Sequence, residues 1–138
     1  MKINLSVILP TFNERNNILS LLDELLKLSE SYEIELIVVD DSSTDGTSSS
    51  VRELAQADRR IRLINRLGRA GLSSAIKEGC LCATGEVLAI MDTDGQHEVR
   101  SVANGLKKLI EDKLDFVTGS RFLEKSSIKG LSDARKGG

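Results

Sequence analysis

Five aspartates stand directly behind apolar, strand-like runs: Asp40, Asp41 and Asp45 follow residues 34–39, and Asp92 and Asp94 follow residues 87–91. So much negative charge gathered in two loops repels itself unless a cation or ordered donors compensate it. Hard carboxylate oxygens at a strand-to-loop transition suit Mg2+ or Mn2+, which keeps several waters and takes one or two protein carboxylates together with a substrate's phosphate oxygens. A nucleoside diphosphate supplies such oxygens. If a sugar leaves that diphosphate, negative charge builds on it as the C1–O bond breaks, and a bound metal stabilises the charge as a Lewis acid. Aspartate also has a plainer use. Asp45, three residues ahead of Ser48 at a helix start, reads as a helix cap, and Gly46 as a turn residue. The D-x-D run of Asp92 and Asp94, directly behind Ile90-Met91, reads instead as ligands.

These loops need elements to position them. Residues 5–9, 34–39, 61–64, 87–91 and 116–118 have the composition of strands, and four helical stripes lie between them. Ile18, Leu21, Leu22, Leu25 and Leu26 form one stripe, and Leu72, Ala75, Ile76, Gly79, Cys80 and Ala83 another. Val51, Leu54 and Ala55 mark a third helix, and Val102, Leu106, Leu109 and Ile110 a fourth. Residues 36–39 and 87–90 are continuously apolar, as expected of strands covered on both faces. The alternation implies an α/β domain, a Rossmann-like, mostly parallel sheet with right-handed crossovers and helices on both faces. Ligands of such sheets bind beyond the carboxyl ends of the strands. There the sequence places Pro10-Thr11-Phe12-Asn13-Glu14, Asp40 to Gly46, Asp92 to His97, and Gly119-Ser120-Arg121.

The bulk composition narrows the function classes. The 138 residues are 40% hydrophobic and 29% charged with net charge −2, which fits a folded globular domain and offers no basic footprint for nucleic acid. No stretch is apolar enough for a membrane span, and no signal-peptide core opens the chain, so a cytoplasmic location is expected. Cys80 and Cys82, two apart on a helix, point in different directions; Cys80 reads as core packing, and free thiols fit a reducing compartment. Competing chemistries fail on placement. The first strand lacks G-x-G-x-x-G behind it, no P-loop or G-x-S-x-G elbow occurs, and no aspartate follows the first or third strand as in phosphoaspartyl enzymes.

Four ordered motifs carry a resemblance to a known family. They are residues 6–14 (Ser-Val-Ile-Leu-Pro-Thr-Phe-Asn-Glu), residues 38–47 around Asp40-Asp41, Ala83-Thr84-Gly85-Glu86, and Met91-Asp92-Thr93-Asp94-Gly95-Gln96-His97, closed by Gly119-Ser120-Arg121. Together they resemble the family-2 glycosyltransferases of GT-A fold, and within these the dolichyl-phosphate mannosyltransferases and related polyprenyl-phosphate sugar transferases. The likeness covers roughly residues 3–135.

The resemblance implies that Pro10, Phe12 and Glu14 line the nucleotide pocket, with Val39 and Asp41 at the base and ribose. Phe12 stands where a tyrosine is common in the family, which keeps ring packing but removes a phenolic hydrogen bond. It further implies that Asp92, Asp94 and Gln96 form the metal-side group, with Thr93 against the donor. Gln96 favours the polyprenyl-phosphate branch. His97 is followed by Glu98 and Val99 where a proline is usual, which weakens its case for a direct role. Arg121 resembles the arginine that grips the acceptor phosphate and, with Asp94, is expected at the catalytic centre. Arg135 falls at the spacing of a second clamp. Guanidinium forks suit phosphate. An acceptor that is already an anion needs no general base, and the expected chemistry is direct displacement with inversion.

The implied function is transfer of a hexose, mannose or glucose, from a GDP- or UDP-sugar to a polyprenyl phosphate with Mg2+ or Mn2+, at the cytosolic face of a membrane. Two alternatives remain: a family-2 enzyme with a hydroxyl acceptor in polysaccharide synthesis, and a non-catalytic nucleotide-sugar-binding module. Residues 1–123 are expected to form the nucleotide-sugar-binding domain, and residues 124–138, polar and without periodicity, a mobile tail that begins the acceptor side. Family members continue beyond this length, so the sheet is expected to be cut short after its fifth strand. Weak nucleotide and metal binding, with little or no turnover, is the expectation for this chain alone.

Overall fold

Strand β1 (Ile3–Thr11) is an inner strand of the sheet, and it is mostly apolar. Residues 5–11 of it are buried, as only a strand covered on both faces can be. The computed structural model describes residues 2–68, 70–93 and 99–113. It divides the chain into two units, Met1–Val99 and Arg100–Gly138.

In the first unit β1 is followed by α1 (Arg15–Leu26), a 3-10 turn (Lys27–Glu30), β2 (Tyr32–Asp40), α2 (Thr47–Ala57), β3 (Ile61–Asn65), α3 (Leu72–Cys82) and β4 (Val87–Ile90). The strands lie in the order β3-β2-β1-β4, and every pairing is parallel. From β1 the chain steps outward through α1 and α2 to β3, then crosses back past β1 through α3 to β4. Right-handed crossovers in opposite directions put their helices on opposite faces. Alternation along the strands agrees: Ile8, Ile37 and Val39 pack with Ala75 of α3. Ile18, Leu21, Leu22 and Leu25 of α1 are likewise buried, as their stripe implies.

Gly79 sets how closely α3 approaches the sheet. A Cβ there would meet Ile8 Cγ2 at 2.5 Å and Val39 Cγ2 at 3.1 Å, so only glycine lets the helix seat. Cys80 packs against the same cluster as a free thiol, and Cys82 is also free.

Two expectations need correction, both about apolar residues on this side of the sheet. Residues 87–90 are not covered on both faces: Leu88 is 45% and Ile90 53% exposed. Their register partners are Ser6 and Ile8, so they share the face on which α3 packs, but α3 lies over β1 and β2, one strand away. Leu72, counted in the core stripe of α3, is 57% exposed. The helix also ends at Cys82, one residue before Ala83.

The Ala83-Thr84-Gly85-Glu86 motif proves to be a staple at the end of β4 remote from its aspartates. The Glu35 carboxylate accepts hydrogen bonds from Ser6 Oγ (2.6 Å), Thr84 N–H (2.6 Å), Thr84 Oγ1 (2.9 Å) and Arg62 (2.8 Å). Gly85 donates to Ser6 Oγ, and a Cβ on it would sit 2.7 Å from the Ser6 backbone nitrogen. Partial burial pushes the Glu35 pKa up, but the donors from Ser6, Thr84 and Arg62 outweigh it and lower the value from 4.5 to about 2. Because the folded value is depressed, the stabilisation is complete above pH ~4.5 and is lost as pH falls toward 2. A shift of this size corresponds to about 3 kcal/mol. Glu35→Gln is therefore expected to be less stable at pH 7 by that order, with the gap closing as pH approaches 2. Urea unfolding of both proteins at several pH values checks it; parallel stability curves would refute the assignment.

In the second unit, helix α4 (Val99–Glu111) carries its apolar residues, Val102, Leu106, Leu109 and Ile110, on one stripe as expected. The expected fifth strand at 116–118 and the domain boundary at 123 lie outside the described residues. Among those residues no helix is long and apolar enough to cross a membrane.

Candidate functional site

The strand order makes one place special. β1 and β4 are neighbours at the switch of the strand order: the chain leaves β1 toward β2 through α1 and enters β4 from β3 through α3, and sheets of this kind hold ligands beyond the strands' carboxyl ends at such a point. A cavity of about 350 Å3 opens there, lined by Pro10, Thr11, Phe12, Glu14, Asp41, Gly71, Leu72, Ala75, Asp92 and Thr93.

Three strand ends are tied together around it. Asp41 N–H donates to the Thr11 carbonyl (2.9 Å), Met91 N–H to Ile8 (3.0 Å), and the buried Thr93 hydroxyl to Pro10 (2.9 Å). Asp40 has no exposed surface and accepts from Thr11 Oγ1 (2.7 Å), Ser43 N–H (3.0 Å) and Ser43 Oγ (2.6 Å). Its charge is met entirely by donors of this kind, as a buried carboxylate requires. Asn13 extends the tie: its N–H donates to Ser43 Oγ (2.8 Å), and its side-chain oxygen accepts from Thr44 N–H (2.8 Å).

Asp45 joins the starts of two helices. It accepts the Arg15 N–H (3.1 Å) at the head of α1 and the N–H (3.0 Å) and hydroxyl of Thr47 at the head of α2. Slight burial raises its pKa, yet these donors hold the carboxyl below the ordinary range. The N-cap position of α2 is Gly46, in a left-handed turn, and Asp45 stands one residue ahead of it, taking the donors of Thr47 instead of acting as the N-cap itself. So the crowding of aspartates is resolved mostly by donors in the protein. Asp40 and Asp45 shape the loops, whereas Asp41 and Asp92 face the cavity.

Most of the expected pocket residues do converge: Pro10, Phe12, Glu14, Asp41, Asp92 and Thr93 all line one cavity. Val39 does not. It is fully buried and packs beneath the cavity against Ala75, which lines it. Asp94, Gln96, His97, Arg121 and Arg135 lie outside the described residues.

Gly71, Leu72 and Ala75 line the cavity without having been expected there. They belong to the segment behind β3, a strand end whose residues carry no motif of their own. Applying the strand-end rule to β3 brings in Arg66, Gly71 and Leu72 directly.

A divalent cation is compatible with this lining. Asp92 is an exposed carboxylate at the cavity, and Glu14 and Asp41 add two more on its wall. Among the described residues no three His, Cys, Asp or Glu side chains cluster as a ready-made metal cage. One or two carboxylates completed by phosphate oxygens is the arrangement Mg2+ adopts with nucleotides.

Comparison with known proteins gives the same direction. The model of Glycosyl transferase family 2 matches residues 6–136. A dolichol-phosphate mannosyltransferase of Pyrococcus furiosus is 34% identical over 95% of this chain and 37% of its own length. One from Saccharomyces cerevisiae is 38% identical over 88% of this chain and 46% of its own. The chain thus spans less than half of these relatives. Among solved structures, the mannosyltransferase PcManGT of Pyrobaculum calidifontis, in complex with GDP-Man and Mn2+, superposes with a TM-score of 0.67 at 32% identity, over 79% of this chain and 33% of the other. With a family model matched over residues 6–136, relatives at 34% and 38% identity and an α/β sheet of GT-A type with a cavity at the switch between β1 and β4, this chain belongs to glycosyl transferase family 2.

Proposed function

We propose that this chain is the donor-binding part of a metal-dependent, inverting hexosyltransferase that uses a nucleoside-diphosphate sugar and a polyprenyl phosphate. The observation that carries the reading is the convergence of Pro10, Phe12, Glu14, Asp41, Asp92 and Thr93 on one cavity at the topological switch point. The names of the relatives support the lipid-phosphate acceptor, and the GDP-Man and Mn2+ of the Pyrobaculum enzyme support the donor class and the metal.

The residues divide the work by chemistry. Pro10, Phe12, Leu72 and Ala75 offer apolar surface to a nucleobase and ribose, while Asp41 and Glu14 offer acceptors to their N–H and O–H groups. Asp92, joined by Asp94 and Gln96 through the family resemblance, would hold Mg2+ or Mn2+. The bound cation supplies Lewis-acid stabilisation of the departing diphosphate. Thr93, its hydroxyl hydrogen given to Pro10, fixes the loop so that Asp92 stays at the cavity. Arg121 and Arg135 are the proposed grips on the acceptor phosphate. An oxygen of that anion attacks the sugar C1 from the side opposite the diphosphate, so no proton has to be removed and configuration inverts. The reading carries an expected location at the cytosolic face of a membrane, where such a lipid acceptor is presented.

A thermal-shift panel of GDP-, UDP- and ADP-sugars with and without Mn2+ tests it. At ligand near 100 times Kd the expected stabilisation is about 2.7 kcal/mol, a rise on the order of 10 °C. Absence of a shift with every donor would sink the donor-site reading.

A further inference from the structure

Arg66, the first residue after β3, is a buried arginine that the donor-site reading leaves unused. Its side chain is only 8% exposed. The guanidinium lies 3.8 Å from Asp41 Oδ1 and 3.2 Å from Glu78, and donates to Ser74 Oγ (2.7 Å) and the Gly71 carbonyl (3.3 Å). Its backbone N–H donates to the Asp40 carbonyl (2.9 Å). An arginine taken this far out of water needs its fork filled by fixed acceptors.

The acceptors fall on both sides of one junction. Asp41 ends the β2 side, and its two oxygens also take the N–H groups of Ala70 (3.0 Å) and Gly71 (2.9 Å). Gly71, Ser74 and Glu78 belong to the start of α3 and its next turns. Arg66 and Asp41 therefore act as a buckle that fastens the head of α3 to the end of β2. What the buckle presents to the cavity is Gly71, Leu72 and Ala75. It explains why Leu72 stands 57% exposed at the first turn of a helix: the turn is pinned where an apolar side chain meets the cavity instead of the core. Arg66 itself does not line the cavity.

We propose that Arg66 is a positioning residue for nucleoside recognition, holding Asp41 and the Gly71–Leu72–Ala75 wall in place without touching the phosphates. The inference rests on the donor-site reading above and adds to it a division: the base and ribose are sensed through the β3–α3 junction, the diphosphate through the Asp92 side. Loss of the guanidinium should weaken a nucleoside and its diphosphate by the same factor, and should leave binding of pyrophosphate with Mn2+ unchanged.

The test is calorimetry on the full chain with three probes: whichever of GDP, UDP and ADP binds best, its parent nucleoside, and pyrophosphate with Mn2+. Arg66→Met is expected to weaken the first two at least about tenfold, the equivalent of a hydrogen bond to a charged group, while pyrophosphate affinity stays within about twofold. Arg66→Lys, which keeps the charge but not the fork, should recover part of the loss. If Arg66→Met fails to fold by circular dichroism, Glu78→Gln carries the comparison. It trims the buckle from its solvent side, and a weakening of roughly twofold to threefold confined to the two nucleoside-bearing probes is expected. Unchanged nucleoside affinity in the folded variant, or a loss seen with pyrophosphate, would overturn the inference alone. A chain that binds none of the nucleotides before substitution would overturn the donor-site reading and this inference with it.

Discussion

Asp92→Asn is expected to remove the metal-dependent part of nucleotide-sugar binding while leaving the fold unchanged. The residue follows β4 with its side chain exposed at the cavity, so substitution costs little packing; surface changes of this kind usually stay within about 0.5 kcal/mol. An amide, however, offers a divalent cation one neutral oxygen in place of a charged carboxylate. Outer-shell partners of a metal alone contribute about 10- to 100-fold to affinity, so loss of a direct ligand should cost at least about 100-fold. Calorimetric titration of the best donor with and without Mn2+ gives the increment for each protein. In the variant the two titrations should coincide, with a melting temperature within about 3 °C of the parent. Retention of the full Mn2+ increment would remove Asp92 from the metal site, and a collapse of the fold would make it a structural residue.

Asp40→Ala is expected to do the reverse, destroying the site by loosening the scaffold. Asp40 is adjacent in sequence to Asp41 but lies beneath the cavity, without exposed surface. Removing its carboxylate strands the buried Thr11 Oγ1 and the part-buried Ser43 N–H and Oγ, and opens a void between the ends of β1 and β2. Leaving a buried polar group unsatisfied costs about 1–3 kcal/mol, so the stranded donors and the void together should cost on the order of 3–5 kcal/mol. For a domain of this size the melting temperature should fall on the order of 15 °C. Nucleotide binding should fall with it, because the loops carrying Phe12, Glu14 and Asp41 are held by the same bonds. Differential scanning calorimetry decides the matter: a variant that melts within about 2 °C of the parent would show that Asp40 is dispensable. Asp40 and Asp92 thus separate the two uses of aspartate that composition alone cannot.

Local physics made much of this molecule readable. A 3.6-residue stripe such as Ile18-Leu21-Leu22-Leu25 has one satisfactory solution, a helix with that face on the sheet, and the structure shows it. The apolar run 36–39 has one as well, a strand covered on both sides, and all four residues are fully buried. From these elements the strand-end rule points to the segments 10–14, 40–46 and 92–97, within which the family resemblance singles out Pro10, Phe12, Glu14, Asp41, Asp92 and Thr93, and these six line one cavity.

The remainder belongs to the tertiary structure, because it depends on which distant segments become neighbours. Nothing periodic in residues 87–90 says that β4 pairs with β1, yet that pairing closes the site and leaves Leu88 and Ile90 beyond the reach of α3. Nothing in the run Asp40-Asp41 tells which carboxylate turns inward. The answer is set by Thr11, 29 residues before Asp40, and by Ala70, 29 residues after Asp41. Arg66 is the same case, an ordinary surface residue type buried only because β2 and α3 deliver acceptors to both sides of it. The sequence by itself therefore determined the elements, the strand ends and the kind of chemistry they can do. The fold alone decided which aspartates lie beneath the loops and which line the cavity, since a charged group's role is fixed by the donors and solvent around it, and those come from elsewhere in the chain.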